Sequence, residues 1–205
     1  GANRYFSRQI TPSDVRWSFA GVRPLIDDGS GRPEASTRGY RLELSDPAAG
    51  PPLLSIFGGK LTTYRHLAEN ALALLAQRLT NVPRTGWTDS APLPGGDFPM
   101  EGAAGLIARL RERYPFLGEA WSERLIRCYG TKSFDILGDA QAVEDCGRHF
   151  GHGLTEREVD HLMAREWAAT AEDILWRRTK LGLRFTAEEA EGLAAWMKDK
   201  LGEEA

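Results

Sequence analysis

The stretch LLSIFGGKLTTYRHL, residues 53–67, changes character at its centre: an apolar run meets Gly58, Gly59 and Lys60, and a helix-like segment follows. A strand that delivers a glycine pair to a helix start is a physically sensible anion site. The glycines let the backbone approach a ligand, and the free amides of the helix start face it. The spacing is not that of a Walker loop, which needs a glycine where Leu54 stands and a Ser or Thr where Leu61 stands. Gly-x-Gly-x-x-Gly is absent here and elsewhere in the chain. On spacing alone, a plain strand-to-helix turn with a solvated lysine is an equal reading.

Working outward, Leu53 to Phe57 reads as a short strand buried on both faces, and Tyr40-Arg41-Leu42-Glu43-Leu44 alternates like a half-buried one. Thr11-Pro12-Ser13-Asp14 reads as a short helix start, with Thr11 as cap and Pro12 in the first turn. Trp17-Ser18-Phe19-Ala20-Gly21-Val22 alternates at strand period, so three strands are expected in the first sixty residues. Downstream, Leu67, Ala71, Leu74, Leu75 and Leu79 recur at helical spacing and predict one long amphipathic helix.

Residues 81–99, rich in Pro and Gly, form the best internal boundary. Beyond it Leu106, Ile107 and Leu110, then Trp121, Leu125 and Ile126, line helical faces in residues 104–113 and 119–129. Thr155…Glu158 and Thr186…Glu189 both fit the capping box. Val159, Leu162, Met163 and Trp167, then Ile174 and Leu175, complete a small bundle of five or six helices. The expected class is α+β: a short β-rich part and a long helix in residues 1–80, and an all-α bundle in residues 81–205.

Composition fits this picture. Of 205 residues, 41% are hydrophobic and 27% charged, enough for a real core. No apolar run approaches the roughly 18 to 20 residues that cross a bilayer. Two cysteines, Cys128 and Cys146, do not read as a disulfide framework, so a reducing cytoplasm is expected. The net charge of −3 hides nine Lys/Arg against six Asp/Glu in residues 1–66, and seventeen against twenty-three thereafter. An anionic ligand is therefore sought in the first third, where Arg23 and Arg38 lie near strand ends. The basic excess is too small and too scattered for nucleic acid. Cys146, His149 and His152 have no common zinc spacing and no obvious fourth ligand, so no metal is expected. Trp176-Arg177-Arg178-Thr179-Lys180 reads as ion-paired helix surface, with Glu172 and Asp173 as the acids.

A family resemblance joins these pieces. Asn3-Arg4-Tyr5-Phe6, Trp17-Ser18-Phe19-Ala20-Gly21-Val22-Arg23-Pro24-Leu25, Thr37-Arg38-Gly39-Tyr40 and Ser55-Ile56-Phe57-Gly58-Gly59-Lys60-Leu61-Thr62-Thr63-Tyr64-Arg65 resemble the FAD-dependent (aerobic, respiratory) glycerol-3-phosphate dehydrogenases. So do Arg113-Tyr114-Pro115-Phe116-Leu117, Cys128-Tyr129-Gly130-Thr131, Phe150-Gly151-His152, Glu166-Trp167 and Leu175-Trp176-Arg177-Arg178-Thr179-Lys180. The likeness implies the C-terminal part of such an enzyme: residues 1–80 as the end of the flavin and substrate domain, 81–205 as a C-terminal helical domain. It implies that Gly58, Gly59, Lys60, Leu61 and Thr62 close over FAD. Arg23, Arg38 and Lys60 are implied to face glycerol 3-phosphate.

The implied reaction oxidises that substrate at C2 to dihydroxyacetone phosphate, with hydride going to flavin N5 and electrons on to a quinone. The general base is unassigned, and the chain by itself is expected to be inactive. The implied location is cytoplasmic, at the inner face of the membrane as a peripheral protein, with a membrane surface and a homodimer as open partners. Two alternatives stand beside this: an oxidase that uses oxygen, and a purely structural or interaction role for the helical part.

Overall fold

The computed structural model describes residues 1–22, 39–45, 50–76, 78–79 and 86–203, which divide into two compact units, Gly1–Ala91 and Pro92–Ala205. The class is α+β, as expected from the pattern.

In the first unit, β1 (Tyr40–Ser45) and β2 (Leu53–Gly58) form an antiparallel hairpin in the register Tyr40 opposite Gly58 to Ser45 opposite Leu53. The β1 side chains alternate between half-buried and exposed, as their period predicts. A 3₁₀ turn, Leu61–Thr63, leads into α1 (Tyr64–Leu75), whose Leu67, Ala71, Leu74 and Leu75 make the half-buried face. The Asn70 amide donates to the Tyr40 hydroxyl at 2.6 Å and ties helix to hairpin. Thr11 and Pro12 start the 3₁₀ turn Pro12–Asp14, with the Thr11 amide donating to Asp14 at 2.7 Å.

Three expectations change here. Residues 17–22 form no strand: Trp17 stacks on Phe19 with ring centroids 5.2 Å apart, and Phe19 and Val22 are exposed. Alternation only proposes a strand, and no neighbour among the described residues supplies the ladder that makes one. β2 is not buried on both faces, since Leu53 is 64% and Ile56 50% exposed. One partner strand and one helix cover only part of a hairpin. The long helix stops at Leu75, and Leu79 lies beyond it in a turn.

The second unit holds every fully buried hydrophobic side chain among the described residues. Its elements are α2 (Ala103–Arg113), α3 (Glu119–Tyr129), α4 (Lys132–Leu137), the small pair β3 (His149–Gly151) and β4 (Leu154–Thr155), α5 (Glu156–Glu166), a π-helical turn Asp173–Arg178 and α6 (Ala187–Glu203). Leu110, Leu125, Leu162, Ile174 and Leu193 are fully enclosed at its centre. Gly95 and Gly130 meet backbone to backbone: a Cβ on either would fall within 2.2 Å of the other segment's carbonyl oxygen. That approach lets the Thr131 amide donate to the Gly95 carbonyl at 3.0 Å.

Two further expectations are corrected. Trp167 is not part of the buried face of α5; it is 87% exposed and closes that helix with a left-handed backbone, φ 55°. Of the two capping boxes, only Thr186 and Glu189 exchange hydrogen bonds, at 2.9 and 3.2 Å. Glu158 makes none to Thr155, because it is drawn into a buried ion pair described below.

Candidate functional site at the glycine turn

The hairpin ends where β2 runs out at Gly58 (φ 72°), and Gly59 (φ 102°) turns the chain toward α1. The Gly59 amide donates to the Gly39 carbonyl at 2.9 Å, which pins the turn to the strand entering β1. A Cβ on Gly59 would lie 3.1 Å from a Leu67 methyl, in a backbone conformation that L side chains rarely adopt. Gly59→Ala is therefore expected to lose about 1–2 kcal/mol locally. Faster amide hydrogen exchange across β1 and β2, with α2 to α6 unchanged, is the measurement that checks this.

Lys60 precedes the 3₁₀ turn in extended conformation, φ −131°, and Thr63 locks it. The Lys60 amide donates to Thr63 Oγ1 at 3.1 Å, while the Thr63 hydroxyl and amide both donate to the Lys60 carbonyl at 3.0 Å. The Lys60 main chain is thus fixed and its side chain exposed. Leu61 and Thr62 stand at the helix start, where the first amides have no acceptor within the helix. Arg65 is not part of this donor set: it pairs with Glu69 at 3.2 Å and donates to Thr88 at 3.3 Å, and the Thr88 hydroxyl also donates to Glu69. Arg23 and Arg38 lie outside the described residues.

The Gly59 and Lys60 amides are thus engaged within the turn, and the main-chain donors left beside the exposed Lys60 side chain are those of Leu61 and Thr62, an arrangement chemically suited to an anion. Sequence reasoning passed over Thr63. The signal is its position three residues after Lys60, where a threonine side chain can return to the backbone.

The other candidates resolve differently. Among the described residues no three His, Cys, Asp or Glu side chains are grouped to hold a metal. Cys146 is fully buried, His149 packs edge-on against Trp121, and His152 lies 3.6 Å from Glu189. In the basic run Arg177 pairs with Asp173 at 3.0 Å and Glu172 at 3.3 Å, as expected, while Arg178 donates to the Glu166 carbonyl at the end of α5.

The unit's strongest electrostatic feature is one the sequence did not announce. Glu158, 1% exposed, accepts both ends of the Arg124 guanidinium at 2.6 and 2.7 Å and the Tyr129 hydroxyl at 2.6 Å. Burial opposes the Arg124 charge, but Glu158 more than offsets it and the pKa is raised. Burial, then the Glu158 charge, pushes the Tyr129 phenol up.

A hairpin, a glycine turn with a fixed lysine, and a separate helical unit define an α+β protein with a C-terminal helical domain. The family model described as the C-terminal domain of alpha-glycerophosphate oxidase matches residues 87–205, more than half of the chain, and the chain belongs to that family. It is 46% identical to a glycerol-3-phosphate dehydrogenase of Pseudomonas aeruginosa, over 97% of this chain and 38% of that protein. It is 44% identical to the aerobic glycerol-3-phosphate dehydrogenase of Escherichia coli (95% and 38%), and 45% identical to a D-erythritol 1-phosphate dehydrogenase of Brucella abortus (95% and 38%). The chain thus spans about 38% of the length of these relatives.

Proposed function

We propose that the chain serves as the C-terminal part of a flavin-dependent polyol-phosphate dehydrogenase, with glycerol 3-phosphate as substrate and dihydroxyacetone phosphate as product. The observation that carries this is the match to glycerol-3-phosphate dehydrogenases over nearly the whole chain. In this reading residues 1–80 complete the flavin and substrate domain and residues 81–205 form the helical domain. The D-erythritol 1-phosphate dehydrogenase matches as well as the others, so overall identity does not discriminate between polyols. What the substrates in their names share is a polyol bearing a phosphate.

Lys60, with Arg23 and Arg38, takes the substrate phosphate. Fixing that dianion orients the C2 hydroxyl, and the same cations favour the alkoxide as its proton leaves. The Gly58 to Thr62 turn presents backbone to the FAD, with Gly59 keeping that approach free of a side chain. Bound FAD supplies the two-electron acceptor for oxidation at C2. A membrane quinone is the final acceptor, and the protein works as a peripheral, cytoplasmic-face enzyme. No helix among the described residues is long and apolar enough to cross a membrane.

The test joins these residues to the rest of the parent enzyme and follows glycerol 3-phosphate oxidation with a quinone analogue and with a peroxide assay. Turnover coupled to the quinone analogue is expected. Peroxide formed at every turnover would instead assign an oxidase, and a preparation of residues 1–205 alone that is yellow and active would overturn the reading of the chain as a partial site.

A further inference from the structure

The residue that closes the glycine turn does not serve its own helix. Thr63 stands at the N-cap of α1, where a threonine hydroxyl ordinarily accepts from an amide two or three residues further on. It makes no such bond. Instead its Oγ1 accepts from the Lys60 amide at 3.1 Å and donates to the Lys60 carbonyl at 3.0 Å. The first turn of α1 holds no acidic residue either, so a side-chain cap and a nearby carboxylate, the two usual ways of settling a helix start, are both absent among the described residues.

What the hydroxyl holds is the root of one side chain. The Thr63 amide adds a second bond to the Lys60 carbonyl at 3.0 Å, and the Gly59 amide just before is pinned to the Gly39 carbonyl at 2.9 Å. Residue 60 is thereby kept extended, φ −131° and ψ 154°, between a left-handed glycine and a 3₁₀ turn. Its side chain is exposed, while Thr63 is half-buried. Lysine carries a point charge on a flexible stem. With the backbone loose such a stem sweeps a wide volume; with the backbone fixed, staggered rotamers confine the ammonium to a smaller set of places.

We propose that Thr63 is a positioning residue for the polyol phosphate: its hydroxyl, withheld from capping α1, fixes the backbone of residue 60 and so aims the Lys60 ammonium at the phosphate. This rests on the function proposed above and adds to it a residue that acts through Lys60. A plain brace for the turn and a positioning role separate in a double-mutant cycle, because an effect that passes through Lys60 disappears once the Lys60 charge is gone.

Thr63→Val keeps the shape of the side chain and removes both hydroxyl bonds, whereas Thr63→Ser keeps the hydroxyl. In residues 1–205, Thr63→Val is expected to speed solvent exchange of the Lys60 amide, followed by NMR, on the order of tenfold, with Thr63→Ser near the parent rate. In the complete flavin-loaded enzyme, Thr63→Val is expected to lower kcat/KM for glycerol 3-phosphate on the order of tenfold at unchanged flavin content, and Thr63→Ser to recover most of it. Added to Lys60→Gln, the same Thr63→Val is expected to change kcat/KM by less than about twofold. Equal losses in both backgrounds, flavin lost with Thr63→Val, or an unchanged exchange rate at the Lys60 amide each overturn the proposal. A parent-like kcat/KM for Thr63→Val beside a slow Lys60→Gln overturns the positioning role and leaves the proposed function standing. Parent-like values for both variants remove Lys60 from the phosphate, and the reading of the turn falls with it.

Discussion

Replacing Glu158 by alanine is expected to cost the Pro92–Ala205 unit about 3–5 kcal/mol, a large share of the roughly 5–15 kcal/mol that keeps a typical domain folded. The carboxylate bridges α3 and α5 through Arg124 and Tyr129, and the same guanidinium donates to the Gly153 carbonyl at 2.8 Å. Without Glu158 the guanidinium, whose side chain is only 15% exposed, keeps a full charge and one carbonyl. Tyr129, 7% exposed, loses its acceptor. Urea unfolding followed by tryptophan fluorescence measures the loss as a lower midpoint at unchanged slope. Glu158→Gln, which keeps the shape and removes the charge, loses most of the same amount. Arg124→Met combined with Glu158→Met recovers a good part of it, since an apolar pair of similar volume avoids the desolvation of two ions. A midpoint for Glu158→Ala within about 0.5 kcal/mol of the parent, the range of ordinary surface changes, would show that the pair is not holding the helices together.

Glu158 also marks where sequence reasoning reaches its limit. Thr155 and Glu158 have the spacing of a capping box, as Thr186 and Glu189 do, yet only the second pair closes. Spacing reports what a helix end can do locally. It does not report that Arg124, 34 residues earlier, stands opposite Glu158 in a water-poor interior, where an ion pair outweighs a cap. The helices themselves were legible because each carries a continuous apolar face: residues 119–129 have the bounds of α3, and Leu106 and Leu110 are buried as the period requires. Strands were less legible. Residues 17–22 and 40–44 alternate alike, but among the described residues only the second run is laddered to another strand, β2, and a ladder is a property of two segments. Trp167 was misplaced for a related reason: it continues the α5 period by one residue, while the backbone has already turned left-handed to end the helix.

At the glycine turn the residue types were informative and the supports were not. Gly58 and Gly59 announce a sharp bend of the backbone before Lys60, and the positive φ at both glycines is that bend. That Thr63 holds Lys60 by both its amide and its carbonyl follows from three-residue spacing only once the turn is known to be 3₁₀. Arg65 follows Lys60 by five residues, but Glu69 sits one helical turn away and claims it. Lys60 is therefore the cation of this turn that is open to an incoming anion.

That distinction yields the second large effect. On the function proposed above, Lys60→Gln in the complete flavin-loaded enzyme is expected to lower kcat/KM for glycerol 3-phosphate on the order of 10- to 100-fold, as loss of a hydrogen bond between two charged groups does. Glutamine keeps most of the side-chain length and a donor but removes the charge, so the deficit reads the charge itself. Lys60→Arg restores part of the rate, because it returns the charge with a different donor geometry. Thr63 leaves the main chain at residue 60 in place in both variants, so flavin content is expected to remain at the parent level. The decisive comparison is with unphosphorylated glycerol at high concentration: whatever oxidation the parent enzyme gives, Lys60→Gln should leave it nearly unchanged because there is no dianion to hold. An equal fall for both alcohols, or loss of flavin on purification, would move Lys60 from the substrate phosphate to the cofactor, leaving Arg23 and Arg38 to take the phosphate.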